Sequence, residues 1–152
     1  MDSGAVRPDP ALSRELRRAL LAELGARAIF GDLARRSPDA ELARLLERLR
    51  EEQGEQVEEL RAVMSALGLQ PRRSSPRRRV LAWLLAAAWP HLGRRLVLRL
   101  CAQAADRAAR GHATFQLVLR DLGAEPLASA CGRLSERRRR HALSLEAWVQ
   151  NA

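Results

Sequence analysis

Apolar residues recur at steps of three and four along most of this chain, and each stripe they form is broken near its middle by polar residues. The first stripe runs Leu12, Leu16, Ala19, Leu20, then Glu23, then Ala26, Phe30 and Leu33. That spacing places Glu23 on the buried face of a helix. An ionised carboxylate there is costly unless it meets a metal, an arginine or a set of hydrogen-bond donors. A second stripe, Leu42, Leu46, Leu49, Gln53, Gln56, Leu60, Val63 and Leu67, carries two glutamines at its centre, with Glu52 at its edge. A third reads Leu98, Cys101, Ala105, Ala108, His112, Phe115, Leu119 and Leu122, with Asp106 on its shoulder. The fourth reads Leu127, Cys131, Leu134, Arg138, His141, Leu145 and Trp148. A chain patterned this way is confined to packed helices with a polar layer inside.

Punctuation between the stripes sets the helix ends. Asp9-Pro10 and Ser37-Pro38-Asp39 are helix starts, and Gly68 and Gly123 are stops. Helices are expected at about 10–36, 38–67, 77–89, 92–122 and 127–150 of a single domain, 9–152, behind a loose tail of residues 1–8. The chain has no tyrosine and little β-branched content, which favours an all-α fold. Short turns join the first and second helices and the third and fourth stripes, while a long connection separates the two pairs. That is the layout of a ferritin-like four-helix bundle with one long crossover containing a short apolar helix. The two pairs resemble an internal duplication: an acid in each first helix (Glu23, Asp106) and a polar i, i+3 pair in each second (Gln53/Gln56, Arg138/His141).

The crossover carries Arg72, Arg73, Arg77, Arg78 and Arg79, then an apolar run bracketed by Trp83 and Trp89. It reads either as a buried connector or as a helix lying in a membrane interface, with arginines on acidic headgroups and both tryptophans at the boundary. The run is too short to span a bilayer, and no signal peptide opens the chain. The expected location is cytoplasmic, peripheral on the inner membrane face. The net charge of +9 suits an anionic partner. The basic run lacks interleaved aromatics, which disfavours nucleic acid. Cys101 and Cys131 sit in apolar stripes without CxxC spacing and read as reduced thiols. Of the histidines, His91 at a helix boundary reads as exposed and His112 as a core or pocket residue, while His141 is expected to hydrogen-bond Glu23.

The segment Glu23-Leu24-Gly25-Ala26, followed by Ile29-Phe30, resembles the first-helix signature of the demethoxyubiquinone hydroxylase family, Glu-x-Gly-Ala-x-x-Ile-Tyr. Asp106 to His112 is similar to that family's third-helix segment, and the tryptophan-containing connector followed by Gly93 matches its crossover. The resemblance covers roughly residues 12–148. It implies a di-iron bundle that hydroxylates a quinone at the membrane, with Gly25 allowing close helix approach and Phe30 packing beneath the site. Carried over position by position, the metal ligands become Glu23, Gln53, Gln56, Asp106, Arg138 and His141. Most of these residues cannot serve a di-iron site, although a one-residue slip would recruit Glu52 and Glu55.

The resemblance therefore implies a scaffold in which an Arg138–Glu23/Asp106 network, supported by Gln53 and Gln56, stands where two iron ions stood. No cofactor is expected unless the ancestral site survives, in which case two iron ions are. The implied role is non-catalytic quinone or lipid binding, with Phe30, His112, Trp83 and Trp89 at the groove. The implied partners are an acidic membrane surface and proteins of ubiquinone biosynthesis, and a homodimer is the expected assembly. Two alternatives stand beside it: an active di-iron monooxygenase with atypical ligands, and a structural or partner-binding bundle.

Overall fold

The computed structural model describes residues 6–70 and 76–151 of the chain. The described residues form an all-helical bundle of α1 (Pro10–Arg36), α2 (Ala40–Ala66), α3 (Pro76–Leu92), α4 (Arg94–Asp121) and α5 (Glu125–Asn151). Local chemistry sets the ends. The Asp9 carboxylate accepts the Leu12 N–H at 2.6 Å, and the Asp39 carboxylate accepts those of Glu41 and Leu42 at 3.0 and 3.1 Å. Each aspartate serves donors that the first helical turn leaves without partners. Gly123, at φ +77°, closes α4 in a left-handed turn in which the Ala124 N–H reaches the Leu119 carbonyl at 2.9 Å.

Two helix ends differ from the expectation. α3 runs past Pro90 to Leu92, because the proline sits in the last turn and interrupts the ladder only once. Gly93, at φ +82°, then turns the chain into α4, two residues later than expected.

α1 packs on α2, α2 on α5, α5 on α4 and α4 on α1, closing a ring. Its direction follows from two apolar clusters. One gathers Leu12, Leu16 and Leu20 of α1 with Leu60 and Met64 of α2, Phe115 and Leu119 of α4, and Leu134 of α5. The other gathers Phe30, Leu33, Leu42, Leu46, Leu98 and Leu145 with Trp89. α1 and α5 therefore run from the first cluster to the second, α2 and α4 run back, and every neighbouring pair is antiparallel. α2 ends at the first cluster and α4 begins at the second, so the crossover travels the length of the bundle, with α3 packed against α1.

The two faces of α3 differ in burial. Trp89 is 4% exposed and belongs to the core, which corrects its expected place at a lipid boundary. Val80, Trp83 and Leu84 share the opposite face, and Trp83 is 57% exposed. Arg72 and Arg73 lie outside the described residues, as do the side chains of Arg77, Arg78 and Arg79. No helix among the described residues is long and apolar enough to cross a membrane.

Trp89→Ala should cost about 3–5 kcal/mol in urea unfolding, as expected for a large buried aromatic. Trp83→Ala should change stability by less than about 0.5 kcal/mol. Equal small losses at both positions would show that α3 does not dock through Trp89.

Candidate functional site

Between the two apolar clusters lies a layer of buried polar side chains: Glu23, Gln53, Gln56, His112, Ser135, Arg138 and His141. Each sits where an apolar stripe turns inward, so the helices themselves impose the convergence.

The layer is organised around the Glu23 carboxylate, which is 1% exposed. His112 Nε2 donates to Glu23 Oε1 at 2.8 Å. A carboxylate only accepts, so this bond holds the imidazole proton on Nε2. Arg138 Nε lies 3.4 Å from the same oxygen, an ion pair without hydrogen-bond alignment. Its Nη1 donates to Gln53 Oε1 at 2.9 Å, and Gln53 Nε2 donates to the Glu23 backbone carbonyl at 3.3 Å. The arginine thus links α5 to both α1 and α2. Ser135 Oγ donates to the Ala109 carbonyl at 2.7 Å and ties α5 to α4.

A second unit lies between α2 and α5. His141 Nε2 donates to Glu52 Oε2 at 2.8 Å, and the Gln56 carboxamide lies 3.5 Å from the same nitrogen. The Phe30 ring meets the His141 ring edge-on, with centroids 6.3 Å apart. Burial holds the His141 imidazole below its ordinary pKa and the Arg138 charge adds to the shift, against the pull of Glu52. Burial also pushes the Cys101 and Cys131 thiols up to about 12, so neither is a thiolate at neutral pH.

Several expectations need correction here. Asp106 does not reach the centre: its side chain is 48% exposed and pairs with Arg110 at 3.0 Å. At 100° per residue Asp106 and His112 stand roughly 120° apart on the helical wheel, so only one can face inward. His112 takes that position and is the partner of Glu23 that His141 was expected to be. The Arg138–Glu23 contact is present without Asp106. Gln53 and Gln56 are fully buried while the Glu55 side chain is 71% exposed, so the helix has not slipped. Glu52 reaches His141 from the bundle's edge, with its side chain 44% exposed. Ser135 went unnoticed, although it lies three residues before Arg138 on the same face.

Two grooves open onto the layer. The α2–α5 groove, about 530 Å³, is lined by Arg48, Arg137, Arg140, Glu52, Glu55 and His141 among others. The α1–α4 groove, about 830 Å³, is lined mainly by apolar residues such as Ala22, Ala26, Ile29, Ala108 and Phe115, with Glu15, Arg18 and Arg107 also on its walls. It ends on Glu23, His112 and Arg138. Phe30, Trp83 and Trp89 do not line it. Gly25 and Gly111 face each other's helices across this groove, and a Cβ on either would meet no atom within 4 Å. Gly25 therefore does not serve close helix approach. Both glycines are helical and cost about 1 kcal/mol each relative to alanine, and what they preserve is open space.

The residues present do not fit a di-iron centre. Two such ions need a shell of carboxylates and imidazoles from four helices. Here a buried guanidinium sits against Glu23 and its charge is felt at His141, so it would repel cations held by either the Glu23–His112 or the Glu52–His141 pair. Among the described residues no three His, Cys, Asp or Glu side chains converge as a metal site. No family model, curated protein or solved structure matches the chain.

Arg138→Met should destabilise the fold by about 3–5 kcal/mol, because it leaves Glu23 buried without its counter-charge. Adding Glu23→Gln, which keeps an acceptor for His112, should recover at least about 1 kcal/mol. Additive losses in the double variant would contradict the coupling. His141 predicts a pH effect of definite sign. Its folded pKa is depressed, so the unfolded chain takes up the proton first as pH falls. Stability should be full above the ordinary imidazole value of about 6.5 and decline from there toward the lower folded value. His141→Gln should flatten that slope in urea titrations between about pH 8 and 5.

Proposed function

We propose that this chain is a ferritin-like bundle, similar in layout to the demethoxyubiquinone hydroxylases, in which a buried arginine–carboxylate network stands in place of metal. On this reading it is a non-catalytic protein that binds an amphipathic molecule, a quinone or lipid, in the α1–α4 groove while resting on an acidic membrane surface. The observation that carries the reading is the groove itself: about 830 Å³, mainly apolar along its walls, ending on three buried polar side chains. Binding pockets for small molecules have this build. The glycines on its walls support the same reading.

The antiparallel ring and the crossover along the bundle support the ferritin-like assignment. The exposed apolar face of α3, with Val80, Trp83 and Leu84, supports contact with lipid, as does the net positive charge. An active di-iron monooxygenase has less support. It requires Arg138 to leave the centre and Asp106 to enter it, against the burial of the first and the exposure of the second.

A short-chain ubiquinone analogue should raise the melting temperature of the wild-type protein. Gly111→Leu, which fills the groove and improves helix propensity, should abolish that response without lowering stability. No shift for any quinone or lipid probe, or one indifferent to Gly111→Leu, would remove the groove reading. In flotation with acidic vesicles the wild-type protein should rise with the lipid, and Trp83→Ser should reduce the bound fraction severalfold. Salt-sensitive binding untouched by Trp83→Ser would reduce the membrane contact to plain electrostatics.

A further inference from the structure

The three polar residues at the inner end of the α1–α4 groove carry buried hydrogen-bonding atoms that no protein group engages. Glu23 Oε2, His112 Nδ1 and Arg138 Nε are buried and have no protein partner. Their chemistry is fixed by the bonds their side chains already make. Glu23 Oε1 accepts from His112 Nε2, so Oε2 remains as an acceptor. In a neutral His112 ring with its proton on Nε2, Nδ1 is a second acceptor. Arg138 Nε is a donor, since its N–H is out of line with Glu23 Oε1. With His112 neutral, these three atoms are two acceptors and one donor, and the charges of Glu23 and Arg138 offset each other.

From this inventory we infer that the groove selects an uncharged amphiphile whose head carries a hydroxyl, such as a phenol, a hydroquinone or a long-chain alcohol. The inference rests on the groove being a binding site and names the ligand class it takes. A hydroxyl both donates and accepts, so it serves the Glu23 carboxylate and the Arg138 N–H together. A head with carbonyl acceptors alone serves Arg138 but leaves the carboxylate oxygen unpaired, so a quinone binds more weakly than a hydroxyl-bearing head. A carboxylate or phosphate head brings a second negative charge beside Glu23 in a site that already has its counter-ion. An ammonium head brings a second positive charge beside the Arg138 guanidinium. The apolar walls accept the alkyl chain, and Gly25 and Gly111 leave the width for it.

The test uses three probes with one alkyl chain: para-octylphenol, para-octylanisole and para-octylbenzoate. Their affinities are measured by calorimetry on the full chain, alongside Gly111→Leu and Glu23→Gln. The phenol should bind about tenfold or more tighter than the anisole, which lacks the donor, and the benzoate should be weakest. Gly111→Leu should abolish phenol binding. Glu23→Gln, if it folds, should shrink the phenol's advantage over the benzoate. Equal affinity for phenol and anisole, or tightest binding of the benzoate, would overturn the head-group inference; if Gly111→Leu still abolished binding, the groove reading would stand. No binding of any probe, or binding indifferent to Gly111→Leu, would overturn the groove reading as well.

Discussion

The structure depends on how one carboxylate is kept in the middle of a helical bundle. Glu23 is removed from water, and its charge is balanced by the Arg138 guanidinium and stabilised by the His112 N–H. A buried ion pair adds little net stability over an apolar core, because desolvation offsets most of the attraction. What it supplies is registry. Arg138 reaches both Glu23 and Gln53 only when α1, α2 and α5 meet at one level, and the Ser135 bond to α4 completes that level. The apolar clusters above and below can then close without competing arrangements.

A polar layer inside a bundle also gives the fold something to do. The helix pairs are tightly joined within each hairpin, whereas α1 and α4 stand apart enough to leave a groove down to Glu23. Small residues hold that gap open, at a cost in helix propensity that packing does not require. The far side of the layer, around His141 and Glu52, opens instead to a groove rimmed by arginines. One centre therefore faces two chemically different grooves, mainly apolar on one side and mainly charged on the other.

Much of this was legible in the residue pattern. The five helices, the inward turn of Glu23, Gln53, Gln56, Arg138 and His141, and the outward turn of Arg137, Arg139 and Arg140 all follow from the 3.6-residue period. The errors came where that period was not applied strictly. Asp106 pairs with Glu23 in the sequence pattern as the acid of its helix, yet its neighbour Ala105 and the later His112 define the inward face. Trp83 and Trp89 both flank an apolar run and look equivalent in sequence, but their spacing of six places them on different faces of α3. The groove was not legible at all. Open space beside Gly25 and Gly111 depends on the distance between α1 and α4, and no residue spacing encodes that distance directly.

The most direct measurement is the metal content of protein expressed in iron-supplemented medium and purified without chelator, determined by elemental analysis. A guanidinium at the centre predicts negligible iron, manganese or zinc in a fully helical protein. About two iron ions per chain, the stoichiometry of a carboxylate-bridged centre, would mean that Arg138 leaves the core and that the buried network described here is not the working state of the protein.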